Sequence, residues 1–390
     1  MSEKQNFIPL SVPSFQGNEL KYVTECIKTE WVSTAGAYVE KFEKEIADYT
    51  GSKYAIACAN GTSALHVSLL VAGVMSGMEV IVPTLTFIAP VNTVNYVGAR
   101  PIFMDCDDFL NINVDKTIDF CEKECRFDGK NLINKSSSAV VKAIIPVHIF
   151  GHPVDIEPLM ELAARFNLTV IEDATESLGS YYKTGKYKGR KAGTIGELGC
   201  LSFNGNKIIT TGGGGMILTS DEKLAQKAKY LTTQAKDDDV YYVHNEVGYN
   251  YRMTNIQAAL GVAQLEQLPK YVEIKRKNYL VYKEKISEIP GLDLIDEPAY
   301  SFSNYWMYSL LIGEEYRLSR DELLKKLSKA GIQSRPVWKL NHEQKPYVYA
   351  LAHKIEKAEK LYQRILSIPC SVSLSSQDVS RVCKTIHDNK

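Results

Sequence analysis

The sequence predicts an α/β protein with a mainly parallel central sheet, followed by a smaller α+β region. Three observations predict it. From about Tyr54 to Thr219, short apolar runs alternate with longer segments of helical period, the pattern of stacked strand–helix–strand units. After Thr254 the chain changes to one long helical stretch. Beyond Pro290 the strand and helix signals become shorter and mixed.

The strands expected in the first region are Tyr54–Cys58, Glu79–Val82, Pro101–Asp105, Val141–His148, Leu168–Glu172, Leu198–Phe203 and Met216–Thr219. Ser63–Val74, Ala89–Val97, Asp115–Cys125 and Ile156–Phe166 read as covering helices. The polar segment Phe127–Ser138 breaks this rhythm and reads as a surface excursion. The long helix runs from about Asn255 to Ile286, with Pro269 able to kink or divide it. A strand Tyr305–Ile312, a helix Arg320–Ala330 capped by Ser319, and a helix Lys354–Leu366 complete the smaller region. The organisation expected is an N-terminal segment 1–20, a large domain 21–265 and a small domain 266–390. The residues before about Asn18 could pack on either domain.

Composition narrows the function. Lys plus Arg and Asp plus Glu both total 46, so the net charge is zero, which leaves no broad basic footprint for nucleic acid or an acidic membrane. Apolar runs are too short to span a bilayer and the N-terminus lacks the pattern of a secretory signal, so a cytoplasmic protein is expected. The eight cysteines lack zinc-site spacing, and no metal is expected.

The candidate chemistry lies at strand ends. Lys207 follows the strand ending near Phe203 and precedes the run Gly212 to Gly215. A lysine amine can form a Schiff base with an aldehyde cofactor. Taken alone, Lys207 reads equally well as a solvated lysine beside a glycine turn, so its companions matter. Asp173 ends the strand before Ala174, where it could cap a turn or keep a pyridine nitrogen protonated. Glu176 follows three residues later and could reach a ring hydroxyl. Asn60-Gly61-Thr62-Ser63 joins a strand to a helix, where backbone amides and hydroxyls suit a helix cap or a phosphate. Ser202 could add a phosphate contact, and Phe87 could join the core or stack on a planar ring. The glycine run has no following Gly-Lys-Ser/Thr, so a P-loop is set aside; a tight turn suits it better.

These residues resemble the DegT/DnrJ/StrS family of sugar aminotransferases, which use pyridoxal 5′-phosphate (PLP) and have the fold type I, aspartate aminotransferase-like architecture. The resemblance runs from Pro9 and Glu30-Trp31-Val32-Ser33-Thr34-Ala35-Gly36 through Asn60-Gly61-Thr62-Ser63-Ala64-Leu65, Glu172-Asp173-Ala174 and Lys207 to Gly248-Tyr249-Asn250-Tyr251-Arg252-Met253. It implies that Lys207 carries the cofactor and shuttles a proton, Asp173 pairs with the pyridinium, and Phe87 stacks on the ring. It further implies phosphate contacts from Thr62, Ser63 and Ser202, and Glu176 near the ring hydroxyl. Asn250 would reach a phosphate across a homodimer interface.

The implied reaction moves nitrogen from L-glutamate to a nucleotide-linked keto-sugar. Lysine at position 207, where some relatives carry histidine, favours amination over dehydration. The motif wording looks most similar to the legionaminic-acid-pathway branch, which aminates C4 of a UDP-linked 2-acetamido-2,6-dideoxy-4-hexulose, with GDP-perosamine-type and 3-keto-sugar aminotransferases as alternatives. His148, Arg252, Arg335 and His342 are candidate sugar-nucleotide contacts, arginine because its fork suits a diphosphate. Glu176 and Gly213 depart from many relatives, which carry glutamine or histidine at the first position and glutamate at the second. A non-catalytic nucleotide-sugar binder is the competing class, and it would not need Lys207.

Overall fold

The computed structural model describes residues 7–238 and 240–388. Seven strands form the centre of its main sheet: β1 (Tyr54–Cys58), β2 (Glu79–Pro83), β3 (Arg100–Met104), β4 (Val140–Ile144), β5 (Thr169–Asp173), β6 (Leu198–Ser202) and β7 (Gly215–Thr219). Their spatial order is β1-β7-β6-β5-β4-β2-β3, with the short strand Leu351–His353 parallel to β3 at the far edge. β7 runs antiparallel to both its neighbours, whereas β6, β5, β4, β2 and β3 are mutually parallel. Consequently the C-terminal ends of β1, β2, β5 and β6 and the start of β7 share one edge, where open α/β sheets present their ligand sites.

Both faces of this sheet are covered, which explains why its strands are continuous apolar runs instead of alternating ones. β2 is buried throughout, as is β7. Helix Gly61–Val71 starts directly after β1 because Asn60 adopts an extended conformation and its side chain accepts the Ser63 N–H, satisfying one of the first-turn donors. Eight of its residues are buried, so it reads as apolar nearly all round.

Several elements differ from expectation. The segment after Phe127 is not only an excursion: Cys125–Phe127 and Leu132–Asn134 form a hairpin whose second strand pairs with the start of β4, and Leu132 is buried. The long helix, Asn255–Ser287, continues through Pro269. Proline there removes one backbone hydrogen bond, but packing of the helix against Glu19–Lys28 and Ala37–Thr50 holds it as one element. The helix expected over Lys354–Leu366 ends at Arg364, and Ile365–Ile368 is a fully buried strand. That strand joins a four-stranded antiparallel sheet with Leu292–Leu294, Tyr308–Ile312 and Arg335–Pro336. The N-terminal segment rests on this part of the chain: Ile8 exchanges hydrogen bonds with Gly331 and Gln333, and Leu10 accepts one from Cys370.

All eight cysteines are free and buried. Among the described residues, no helix is long and apolar enough to cross a membrane, and no three His, Cys, Asp or Glu side chains gather where they could hold a metal ion.

Candidate active site

A cavity of about 310 Å³ opens at the shared strand edge. Asn60, Gly61 and Thr62 enter it from the start of the first covering helix, Phe87 from the loop after β2, Asp173 and Glu176 from the end of β5, and Ser202 and Lys207 from the end of β6 and its loop. Six of the residues singled out in the sequence, Thr62, Phe87, Asp173, Glu176, Ser202 and Lys207, therefore line one space. They converge because each lies at or just beyond the same edge of one sheet.

Lys207 sits in the loop between β6 and β7, where antiparallel pairing fixes both ends. Phe203 N–H donates to Gly214 O at 3.0 Å, and Thr211 N–H donates to Phe203 O at 2.9 Å. Gly212 and Gly214, with φ of 77° and 96°, permit the turn that brings the chain back into β7. The Lys207 side chain is 13% exposed, and its Nζ lies 3.6 Å from Glu176 Oε1 and 4.1 Å from the centre of the Trp306 ring.

The carboxylates beside it are held differently. Burial pushes the Asp173 carboxyl up, partly countered by hydrogen bonds from Thr175 and by the charge of Lys207. Burial also pushes Glu176 up, to about 7, although Lys207 and the Phe150 N–H act in the opposite sense. Glu176 Oε2 accepts that N–H at 2.8 Å. A buried carboxylate such as Asp173 is completed by a protonated pyridine nitrogen, and Phe87, 51% exposed, has apolar surface to cover a ring.

The phosphate end is a close approach. A Cβ placed on Gly61 would lie 2.9 Å from Ser202 Cβ and 3.2 Å from Thr175 Cγ2, so only glycine lets the helix start press against β6. Backbone amides of a helix start, with the Thr62 and Ser202 side chains beside them, form a suitable anion cradle. The residues present thus fit PLP: an amine, a buried carboxylate, an uncovered aromatic ring and a helix start.

Other predicted residues lie elsewhere. Ser63 is behind the wall, its N–H and hydroxyl both directed to Asn60 Oδ1 at 2.8 and 3.1 Å. His148 is fully buried and does not line the cavity. Its Nδ1 accepts the Val154 N–H at 3.0 Å, which leaves Nε2 to carry the proton toward Glu172 Oε2, also at 3.0 Å. Both ring nitrogens are thereby used inside the protein, and the expected sugar contact is corrected to a structural one. His342 lies outside the cavity lining, with Nδ1 2.7 Å from Thr84 Oγ1. Arg252, Arg335 and Asn250 are exposed and are also absent from that lining.

Sequence reasoning missed an aromatic wall. Trp306 and Trp338 line the cavity, and the Trp338 ring lies 4.8 Å from Phe150 and 6.4 Å from Phe87. The one available signal was compositional: the chain has three tryptophans, and two of them are here.

Comparison with known proteins identifies the family. Residues 13–387 match the model of the DegT/DnrJ/EryC1/StrS aminotransferase family. The GDP-perosamine synthase of Caulobacter vibrioides is 39% identical over 378 residues, 96% of each chain. The GDP-perosamine synthase of Escherichia coli O157:H7 is 40% identical over 387 residues, 98% of each chain. Among solved structures, a DegT DnrJ EryC1 StrS aminotransferase from Brucella abortus superposes with a TM-score of 0.85 at 29% identity over 95% of both chains. The chain belongs to the DegT/DnrJ/EryC1/StrS aminotransferase family and is a PLP-dependent sugar aminotransferase.

Proposed function

We propose that this enzyme transfers the amino group of L-glutamate to C4 of a GDP-linked 4-keto-6-deoxyhexose, making a GDP-linked amino sugar for a bacterial surface glycan. The carrier rests on similarity: three relatives named GDP-perosamine synthase are 39%, 40% and 35% identical over nearly the whole chain. That support replaces the UDP-linked substrate suggested by the motif wording. The reaction class rests on one observation, the joint placement of Lys207, Asp173 and Glu176 in a single cavity.

Bound PLP supplies the electron sink for the carbon that loses its proton. With PLP bound, the Lys207 amine would hold the cofactor at its aldehyde and, when free, would hold and move a proton beside it. Asp173 would keep the pyridine nitrogen protonated, Phe87 would cover the ring, and the start of the Gly61–Val71 helix with Thr62 and Ser202 would hold the phosphate. Asn250 is exposed on the surface that we assign to a homodimer partner. The eight free thiols suit a reducing cytoplasm.

The test begins with the visible spectrum of the purified protein with PLP, before and after L-glutamate, for wild type and Lys207→Ala. A lysine-bound band that converts to the amino form in the wild type and is missing from the variant supports the reaction class. Folded wild-type protein that leaves PLP free sinks it. The glutamate-treated enzyme is then offered GDP- and UDP-linked 4-keto-6-deoxy sugars; faster turnover of the UDP sugar would overturn the carrier.

A further inference from the structure

Trp306 is held from several directions. Its indole N–H donates to Asn206 O at 2.7 Å, one residue before Lys207. Its backbone N–H donates to Asn304 Oδ1 at 2.8 Å, and Asn304 in turn donates to Glu176 O and Leu178 O. Its carbonyl accepts from Lys275 Nζ at 3.1 Å. Lys275 is itself 2% exposed and also donates to Cys370 O at 2.6 Å, a costly place for an ammonium group.

Backbone strain gathers around the same ring. Tyr305, the preceding residue, has φ of 47°, and Phe150, whose ring lies 6.1 Å from Trp306, has φ of 52°. Bulky residues rarely adopt this region, and such strain persists only where surrounding contacts enforce it. Phe150 spends the unusual conformation on pointing its N–H at Glu176. Lys207 Nζ is near both groups so braced, 3.6 Å from Glu176 and 4.1 Å from the Trp306 ring centre.

We propose that Trp306 is a positioning residue for Lys207: its indole face, together with the Glu176 carboxylate, forms a cradle that holds the lysine amine whenever it is not bonded to cofactor. Aromatic faces attract ammonium groups, and a partly desolvated site strengthens the attraction. The cradle keeps the freed amine beside the reaction centre through both half-reactions, so that it returns to the same place for each proton transfer. This inference rests on the aminotransferase reading, yet the cradle exists in the cofactor-free protein and is tested there.

Cofactor-free wild type, Trp306→Leu and Trp306→Phe are exposed to a small water-soluble amine-acylating reagent, and modification of Lys207 is followed by peptide mass spectrometry. Trp306→Leu is expected to label about tenfold faster than wild type, and Trp306→Phe, which keeps an aromatic face, within about twofold. Biosynthetic replacement of the three tryptophans by a fluorinated analogue keeps the shape and weakens the ring's negative face, and is expected to raise labelling severalfold without unfolding the protein. In the loaded enzyme, Trp306→Leu should lower kcat while the KM for glutamate stays within about twofold, the pattern of an interaction outside ground-state substrate binding. Labelling of Lys207 in Trp306→Leu and in the fluorinated protein at the wild-type rate would overturn the cradle. Failure of wild type to bind PLP would instead overturn the aminotransferase reading, and it is read separately from the spectrum.

Discussion

Glu172 and Asp173 are neighbours at the end of one strand, and their carboxylates face different surroundings. Glu172 accepts the N–H groups of Gly193, Ile195 and Gly196 at 2.9, 2.6 and 2.7 Å and faces His148 at 3.0 Å, while Asp173 lines the cavity. Burial alone would push Glu172 up, but these donors hold it below the usual carboxylate range. Alternation along a strand separates a carboxylate held by the protein from one that faces the cavity.

That division predicts opposite phenotypes. Glu172→Gln replaces an acceptor oxygen with an amide that faces donors, and should destabilise the protein by about 2–4 kcal/mol in urea unfolding. Asp173→Asn should leave stability nearly unchanged and lower amination by about 10²-fold or more, because the pyridine nitrogen loses its anionic partner. Equal losses of stability in the two variants would contradict the assignment.

Lys207→Ala should remove both the bond to cofactor and the proton carrier. Amination of the keto-sugar is expected to fall by at least about 10³-fold, measured under single-turnover conditions, since positioned acid–base groups alone supply about 10²–10⁴. Thermal stability of the cofactor-free variant should stay close to wild type.

Glu176 gives a pH dependence whose sign is fixed by the direction of its shift. Its carboxyl is raised from 4.5 to about 7 in the folded protein, so between those values the folded state keeps a proton that the unfolded chain releases. Stability from this group is therefore lost as pH rises through that window, and the loss is complete above about 7. In cofactor-free protein, Glu176→Gln should gain stability relative to wild type as pH rises, levelling at on the order of 3–4 kcal/mol at about 1.4 kcal/mol per pKa unit. A difference in unfolding free energy that stays flat with pH would refute it.

Gly61→Ala tests the close approach at the phosphate end. The added Cβ would meet Ser202 at 2.9 Å and push the helix start from β6. PLP affinity should weaken by roughly 10–100-fold, or about 1.4–2.8 kcal/mol, in equilibrium titration, while PLP stays lysine-bound at saturation.

The sequence revealed the parallel layers because buried strands and their covering helices leave long apolar patterns. It revealed Lys207, Asp173, Glu176, Thr62, Phe87 and Ser202 for a topological reason: they follow successive strands and need no distant partner to be recognised as strand-end residues. Trp306 and Trp338 escaped because they reach the cavity from a part of the chain about a hundred residues or more beyond Lys207, and a tryptophan in an apolar stretch reads as core. His148 misled by the same rule that found Asp173: it too follows a strand, but its ring turns into the protein toward Glu172. The strand Ile365–Ile368 was hidden because it begins one residue after a helix, with no turn residue between.

The reversed strand β7 has a further consequence. Because it returns beside β6, the loop carrying Lys207 is tied at Phe203, Thr211 and Gly214 like a post set in two footings. Trp338 lines the same cavity from a distant stretch of chain and is not one of those ties, whereas Trp306 bonds the loop itself through Asn206 O. A redesign of sugar preference can therefore begin at Trp338 and leave Trp306 in place, so that the amine still stands in the same spot to meet whatever is admitted.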